Sequence, residues 1–207
     1  IYNCITGIST GNDGKYLSTE KTDKHDIPFY KNPASRKFYM EPDGYLWSKY
    51  IEESQKVSNF IVRNEPLLKK SGLTCSSMGV EFGACRLPSE GLFGVNPSII
   101  CGDDDIWWML SYINSNLVQY IIRGILRRSN MVTSGYVSRV PLLDLTEPSK
   151  TKLSRMSKKA YSIANEGGNV GSVMGRINSL IYNEAGLKSR GEASFINNFC
   201  SNVVEKS

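Results

Sequence analysis

With 207 residues, 40% hydrophobic and 22% charged, the chain has the make-up of one soluble globular domain, or one domain with an appendage, able to bury a core without disulfides or a structural metal. Its five cysteines are scattered, odd in number and never in CxxC spacing, and His25 is its one histidine, which argues against a zinc site and a secreted disulfide framework and for a reducing cytoplasm. The net charge of +5 suits a nucleic-acid partner without demanding one, and no stretch reaches the apolar length of a membrane span.

The chain starts without methionine and without a signal peptide, and reads as an excised piece of a longer protein. Residues 1–20 alternate around a Gly-Asn-Asp-Gly turn, predicting strand, turn, strand. Residues 23–44 hold three prolines with aromatics between them and predict an irregular connection that packs. Another strand is expected over Tyr45–Tyr50. Glu52–Lys70 carries apolar positions at a helical period that Pro66 should end or kink near Asn64. "GLTCSSMG", "VEFGACRLP" and "NPSIICG" read as strands of one antiparallel or mixed sheet.

From Asp103 the period changes. Three aspartates stand where a helix N-terminus favours acids, and Ile106, Leu110, Ile113, Leu117 and Ile121 follow at spacings of three and four, with a break expected at Asn114. Pro148 should open a polar helix running to about Asn165. A Gly-rich linker and two amphipathic helices, "VMGRINSLIYNEAGL" and "ASFINNFCSNVVE", close the chain.

Catalytic sets are scarce. A hydrolase built on Cys75 or Ser77 would need a base beside the nucleophile, and His25 lies in a distant polar stretch. "GISTGNDG" lacks the pattern of a phosphate loop. Three stretches instead share hydroxyl and amide side chains beside a cation: Ser9–Lys15, Lys69–Met78 and Arg127–Tyr136. Such groups suit phosphate oxygens and base edges. For Arg123, Arg127 and Arg128 a helix C-terminus is an equally good account. A protein-interaction module using the same sheet and the tail helices is the main alternative function.

Several segments together resemble the target-recognition domain of adenine-N6 DNA methyltransferases of the type II and IIG restriction-modification and phage-defence kinds. "ITGISTGNDGKYL" is similar to that family's G-[LIM]-x-T-G-x-[ND] opening, and residues 67–101 to its central Gly-[IL]-Thr run and following strands. "IWWMLSYINSNLVQYIIRGI" is similar to its L-x-x-L-N-S-x-[LV]-x-x-[YF] helix, and "SGYVSRVPL" and "INSLIYNEAGL" to the segments after it, with Ala185 in place of an aromatic. The likeness runs from residue 5 to about 190, and residues 23–64 match poorly.

The resemblance implies an α+β domain: a twisted mixed or antiparallel sheet with packed helices over residues 1–145, then a C-terminal helical subdomain over 146–207. It implies double-stranded DNA and the catalytic domain of the same parent protein as partners, with one adenine flipped out for methylation. "NPAS" and "NPSI" lack the second proline and the aromatic of the [NDS]-P-P-[YF] motif that holds the flipped adenine, so this piece is expected to bind no S-adenosylmethionine and to methylate nothing alone. The residues expected at DNA are Ser9, Thr10, Asn12 and Lys15; Lys70, Ser71, Thr74, Ser76 and Ser77, with the serines and Thr74 lining one face; and Arg127, Arg128, Ser129, Asn130, Thr133 and Ser134 on an arm held by the apolar helix. Met131 either wedges against a base or packs on the domain.

Overall fold

A computed structural model describes residues 2–79, 81–126, 131–187 and 190–205. Strands β1 (Asn3–Ile5), β2 (Leu17–Ser18), β3 (His25–Tyr30), β4 (Gly44–Trp47), β5 (Gly72–Cys75), β6 (Ala84–Leu87), β7 (Leu92–Phe93) and β8 (Ser98–Ile100) form two four-stranded sheets. The first runs β1-β8-β5-β6 and is antiparallel throughout, with Leu73 opposite both Arg86 and Ile99. It contains all three of the short apolar runs expected in one sheet. The second runs β2-β4-β3-β7, and its last pair, Phe29 opposite Leu92, is parallel.

The helices are α1 (Asp13–Tyr16), α2 (Tyr50–Ser54), α3 (Asp103–Ile113), α4 (Asn116–Tyr120), α5 (Ser134–Val137), α6 (Glu147–Asn165), α7 (Gly171–Glu184) and α8 (Arg190–Glu205). Ile121–Leu126 continues α4 as a π-helical turn. Among the described residues no helix is long and apolar enough to cross a membrane.

The period of two along a strand decides which core each side chain joins. Leu73, Cys75, Ala84 and Ile99 share one face of the first sheet and pack on Ile106, Met109, Leu110 and Ile113 of α3. Cys85, Leu87 and Ile100 face the other way, onto Phe29, Leu46, Phe60 and Leu92 of the second layer. The first sheet is thus covered on both sides, which is why β5 reads as a continuous apolar run rather than an alternating one. Leu153, Met156, Ala160, Val173 and Ile177 of α6 and α7 belong to the same cluster as α3. Ser111 also donates to the Leu153 carbonyl at 2.9 Å. Residue 145 therefore marks a change from mixed structure to helix but does not divide the core.

Three expectations change. Residues 23–44 are not one irregular connection: His25–Tyr30 forms β3, between β4 and β7, in spite of Pro28, and only the stretch after it is irregular. No hairpin forms over residues 1–20: β1 and β2 lie in different sheets, and the Asn-Asp-Gly stretch becomes one helical turn because the Asn12 side chain accepts from the Lys15 N–H at 3.2 Å and caps it. The helix expected over Glu52–Lys70 is reduced to α2 and a 3-10 turn at Glu65–Leu67. Asn64 has a left-handed backbone, φ 53°, and Pro66 opens the second turn instead of ending a long helix.

Candidate functional site

The loop between β1 and α1 is shaped by contacts that leave little choice of residue. A Cβ on Gly7 would stand 2.2 Å from the Phe93 carbonyl oxygen. Gly11 has φ +67°, and a Cβ there would meet the Asn59 carbonyl at 2.6 Å. Ile8 is buried between them, and Ser9 exchanges backbone hydrogen bonds with Ile61 at 2.9 and 2.8 Å. The buried Thr10 hydroxyl donates to Asp13, which is ion-paired with Lys31. The G-I-S-T-G-N-D opening is thus accounted for residue by residue as a fixed loop.

This loop forms one wall of a cleft of about 420 Å³, with Lys31, Asn32, Ser77, Val95 and Asn96 opposite. Asn32 fixes the far wall: its Oδ1 accepts from the N–H of Ser77 at 3.0 Å and of Ala34 at 3.1 Å, and its Nδ2 donates to the Met78 carbonyl at 3.3 Å. The Ser77 carbonyl in turn accepts from the Val132 N–H at 2.8 Å, which ties the segment entering α5 to the same wall. Asn96 is buried and donates to Thr74, while its Oδ1 has no partner among the described residues. The hydroxyls of Ser9 and Ser77 likewise bond to no described residue, so the cleft presents neutral donors and acceptors to solvent.

Electrostatics agree with this neutrality. Among the described residues Lys31 is the one cation lining the cleft, and Asp13 offsets it. Burial alone would raise the Asp13 carboxyl, but hydrogen bonds from Lys31 and Thr10, with the Lys31 charge, outweigh it and hold the group below its ordinary value. A carboxyl depressed in the folded state stabilises the fold above its unfolded pKa and loses that contribution as pH falls through the folded one. The Thr10–Asp13–Lys31 tie is therefore expected to be complete above about pH 4 and to break below it. Amide chemical shifts of Thr10 and Gly11 should show a midpoint below the ordinary aspartate value, and Asp13→Asn should abolish it. A midpoint at or above that value would contradict the arrangement.

The expected residues do not all gather here. Ser9, Thr10, Asn12 and Ser77 line the cleft. Lys15 turns away to Glu53, at 3.1 Å, and to the Tyr16 hydroxyl, at 2.8 Å. Thr74 and Ser76 are fully buried: Thr74 donates to the Lys31 carbonyl, and Ser76 to the carbonyls of Ala34 and Gly83. They brace the cleft from inside, because β5 is covered on both faces and its hydroxyls must find protein partners. Lys70 and Ser71 lie at the other end of β5, roughly 17 Å of strand away from Ser76. Ser71 donates there to Asp103 at 2.6 Å, so the serines and Thr74 do not share one face. Thr133 and Ser134 begin α5, beside Val132. Arg127, Arg128, Ser129 and Asn130 lie outside the described residues.

No family model matches the chain, and no curated protein is significantly similar to it.

Lys31, Asn32 and Asn96 were missed as site residues. Their signal was the pair of Asn-Pro dipeptides, which resemble an incomplete base-holding motif but serve here as cleft walls. The polar residues that interrupt the apolar helix also acquire roles. Asn114 accepts from the Ala84 N–H at 2.9 Å and donates to the carbonyls of Ala84, at 2.9 Å, and Leu110, at 3.0 Å. Gln119 accepts from the Phe82 N–H at 2.7 Å, and Arg123 donates to the Gly79 carbonyl at 2.6 Å. Three consecutive helical turns thus grip the loop and strand beyond Ser77. Arg123 is buried in the last turn of the Ile121–Leu126 segment, where a helix end favours a cation, and also reaches the interior loop at Gly79.

A nucleophile has no support at the positions considered. The Cys75 thiol is fully buried and pushed well up by desolvation, and His25 sits in β3 with Thr22 as its neighbour. A larger cavity, about 1190 Å³, opens between Ser35–Glu41 and the helices α7 and α8. Its wall includes an amide cluster in which Asn116 bonds to Asn178 and Asn197 at 2.9 and 2.8 Å.

Proposed function

We propose that the chain is the DNA target-recognition domain of an adenine-N6 DNA methyltransferase, binding duplex DNA and setting the sequence within which the base is modified. The observation that carries this reading is the convergence of Ser9–Asn12, Asn32, Ser77 and Asn96, from four separate parts of the chain, on one cleft of hydroxyls and amides in which the charges of Asp13 and Lys31 offset one another. Groups of that kind discriminate base edges, where a wrong base leaves a donor or acceptor unpaired, while charge supplies affinity without sequence information. Asn12, whose Oδ1 caps α1, keeps its amide nitrogen to donate to a base or phosphate acceptor, and the serine hydroxyls can meet any base or phosphate.

In this reading S-adenosylmethionine and the methyl-transfer chemistry belong to a catalytic domain outside these residues. The two Asn-Pro asparagines fit that division. Asn32 Oδ1 already accepts from two backbone N–H groups, and Asn96 Oδ1, though without a partner among the described residues, is buried, which leaves neither exposed to receive an adenine amino group.

The test is fluorescence anisotropy with labelled duplexes. The chain alone should bind duplex DNA with a dissociation constant of about 10⁻⁴ to 10⁻⁶ M at physiological salt. Arg127→Ala should either cost about 1–3 kcal/mol at one base pair and relax the preference there, or weaken all sequences evenly and lower the salt slope by about 1. A chain that binds no duplex even at low salt would sink the reading.

One observation favours a protein-interaction module instead. Met78 and Val95 are 57% and 59% exposed, Val95 lining the cleft and Met78 following Ser77 of its wall. A protein partner covering them would give association insensitive to salt. Met131, expected either at a base or packed on the domain, is exposed, which suits a contact with either kind of partner.

A further inference from the structure

The cleft is neutral, so the cationic excess of the chain lies elsewhere. Helix α6 carries Lys150, Lys152, Arg155, Lys158 and Lys159 against one acid, Glu147, in its sequence. Two of the five have protein partners: Lys150 pairs with Glu147 at 2.8 Å and covers Trp108, and Lys158 covers Trp107. Lys152, Arg155 and Lys159 are exposed and in no ion pair with a described residue. At 3.6 residues per turn they fall within about 60° of one another and extend over roughly 10 Å of helix. None lies in the last turn, where the helix dipole would favour a cation. Like charges at these spacings oppose the helix, so the fold itself gives no reason for them.

Arg176 faces Lys152 and Arg155 across a groove of about 420 Å³ between α6 and α7, lined also by Ser172 and Ser179 and, among the described residues, by no acid; Lys159 continues the cationic face of α6 without lining the groove. The floor is Met156 and Leu180. Gly175 and Ser179 are shared with the larger cavity, whose opposite wall, Ser35–Glu41, begins three residues after Asn32 of the cleft. Groove and cavity are therefore contiguous along the surface.

Resting on the DNA reading above, we propose that the α6–α7 groove holds successive phosphates of one strand of the bound duplex. A single phosphate cannot meet cations spread over such a length. A strand whose phosphates advance about 3.4 Å per nucleotide along the duplex can. Arginine offers its planar fork to phosphate oxygens, and the serine hydroxyls complete the contact. The division of labour is a neutral cleft for sequence and a basic groove for affinity.

The test uses the full chain, a labelled duplex of random sequence and, in parallel, vesicles of phosphatidylserine. Arg155→Ala with Arg176→Ala should lower the slope of log affinity against log salt by about 2 and the affinity at 0.1 M salt by roughly 60-fold, about 8-fold per contact. Gly175→Glu places a carboxylate where a Cβ meets nothing within 4 Å, and should weaken binding with every cation still present. All three sites are exposed, so near-ultraviolet circular dichroism should be unchanged. If the unaltered chain binds duplex and neither variant changes the slope, the groove proposal is overturned and the cleft reading stands. Binding to vesicles without binding to duplex overturns both.

Discussion

Asn114→Ala is expected to lower the free energy of unfolding by about 2–4 kcal/mol, more than any surface change in this chain. Asn114 is almost completely buried, and its amide does three things at once. It receives the Ala84 N–H, supports the Ala84 carbonyl beside the Phe38 N–H, and closes the last turn of α3 through Leu110. Alanine leaves the Ala84 N–H buried with nothing to accept it, and an unsatisfied buried donor costs more than an average hydrogen bond is worth. Asn114→Asp should be worse at neutral pH, because a carboxylate would face two carbonyl oxygens in the interior. A buried carboxyl of that kind has a raised folded-state pKa, so its stability is present at low pH and lost as pH rises. Urea denaturation at pH 4 and pH 7 separates the cases. Equal midpoints for the Asp and Asn forms at pH 7 would refute this account of the clamp.

Gly7→Ala is expected to cost about 1–3 kcal/mol or more, and to disturb the cleft as well as the fold. The added carbon would stand 2.2 Å from the Phe93 carbonyl oxygen and 2.8 Å from the Phe93 ring. Neither can yield cheaply: Phe93 is fully buried, and its carbonyl accepts from the Ile8 N–H at 2.9 Å. The chain at Gly7 also donates to the Gly94 carbonyl at 2.8 Å, next to Val95 and Asn96 of the far wall. Relief of the clash therefore has to move one wall of the cleft relative to the other. Thermal unfolding measures the first effect, and duplex affinity at fixed salt the second. A Gly7→Ala protein with unchanged melting would mean that the two backbones are not in contact.

The elements legible in the sequence are those whose pattern has one physical reading. The spacing of Ile106, Leu110 and Ile113 marks a helix, although the structure buries every residue from Trp108 to Ile113 between the first sheet and α6, and Asn114-Ser115 marked its interruption because Ser115 caps the next helix, accepting from the Val118 N–H at 3.3 Å. Pro148 marked the start of α6 for the same kind of reason. Glu52–Lys70 misled because Val57, Phe60, Leu67 and Leu68 are spaced as in a helix but reach the second core from irregular backbone held by Asn64. At the cleft, residue type was visible and direction was not. Ser76 and Ser77 are neighbours of identical chemistry just beyond β5, yet one is locked in the interior on the Ala34 and Gly83 carbonyls and the other lines the cleft, a difference set by tertiary partners. Lys31, Asn32 and Asn96 arrive from the second sheet and from the β7–β8 connection, and only tertiary pairing brings them opposite Thr10.

The order of strands has a consequence for synthesis. Cys4 pairs with Ile99 and Phe29 with Leu92, so each sheet includes a strand near the start of the chain that pairs with residues in the nineties. Neither layer can be completed until the residues in the nineties have left the ribosome: β2 and β3 can meet β4 early, but β1 must wait for β8 with its edge exposed. Contacts so distant along the chain slow folding. Of these strands β1 is thus the one open longest to a wrong partner during synthesis.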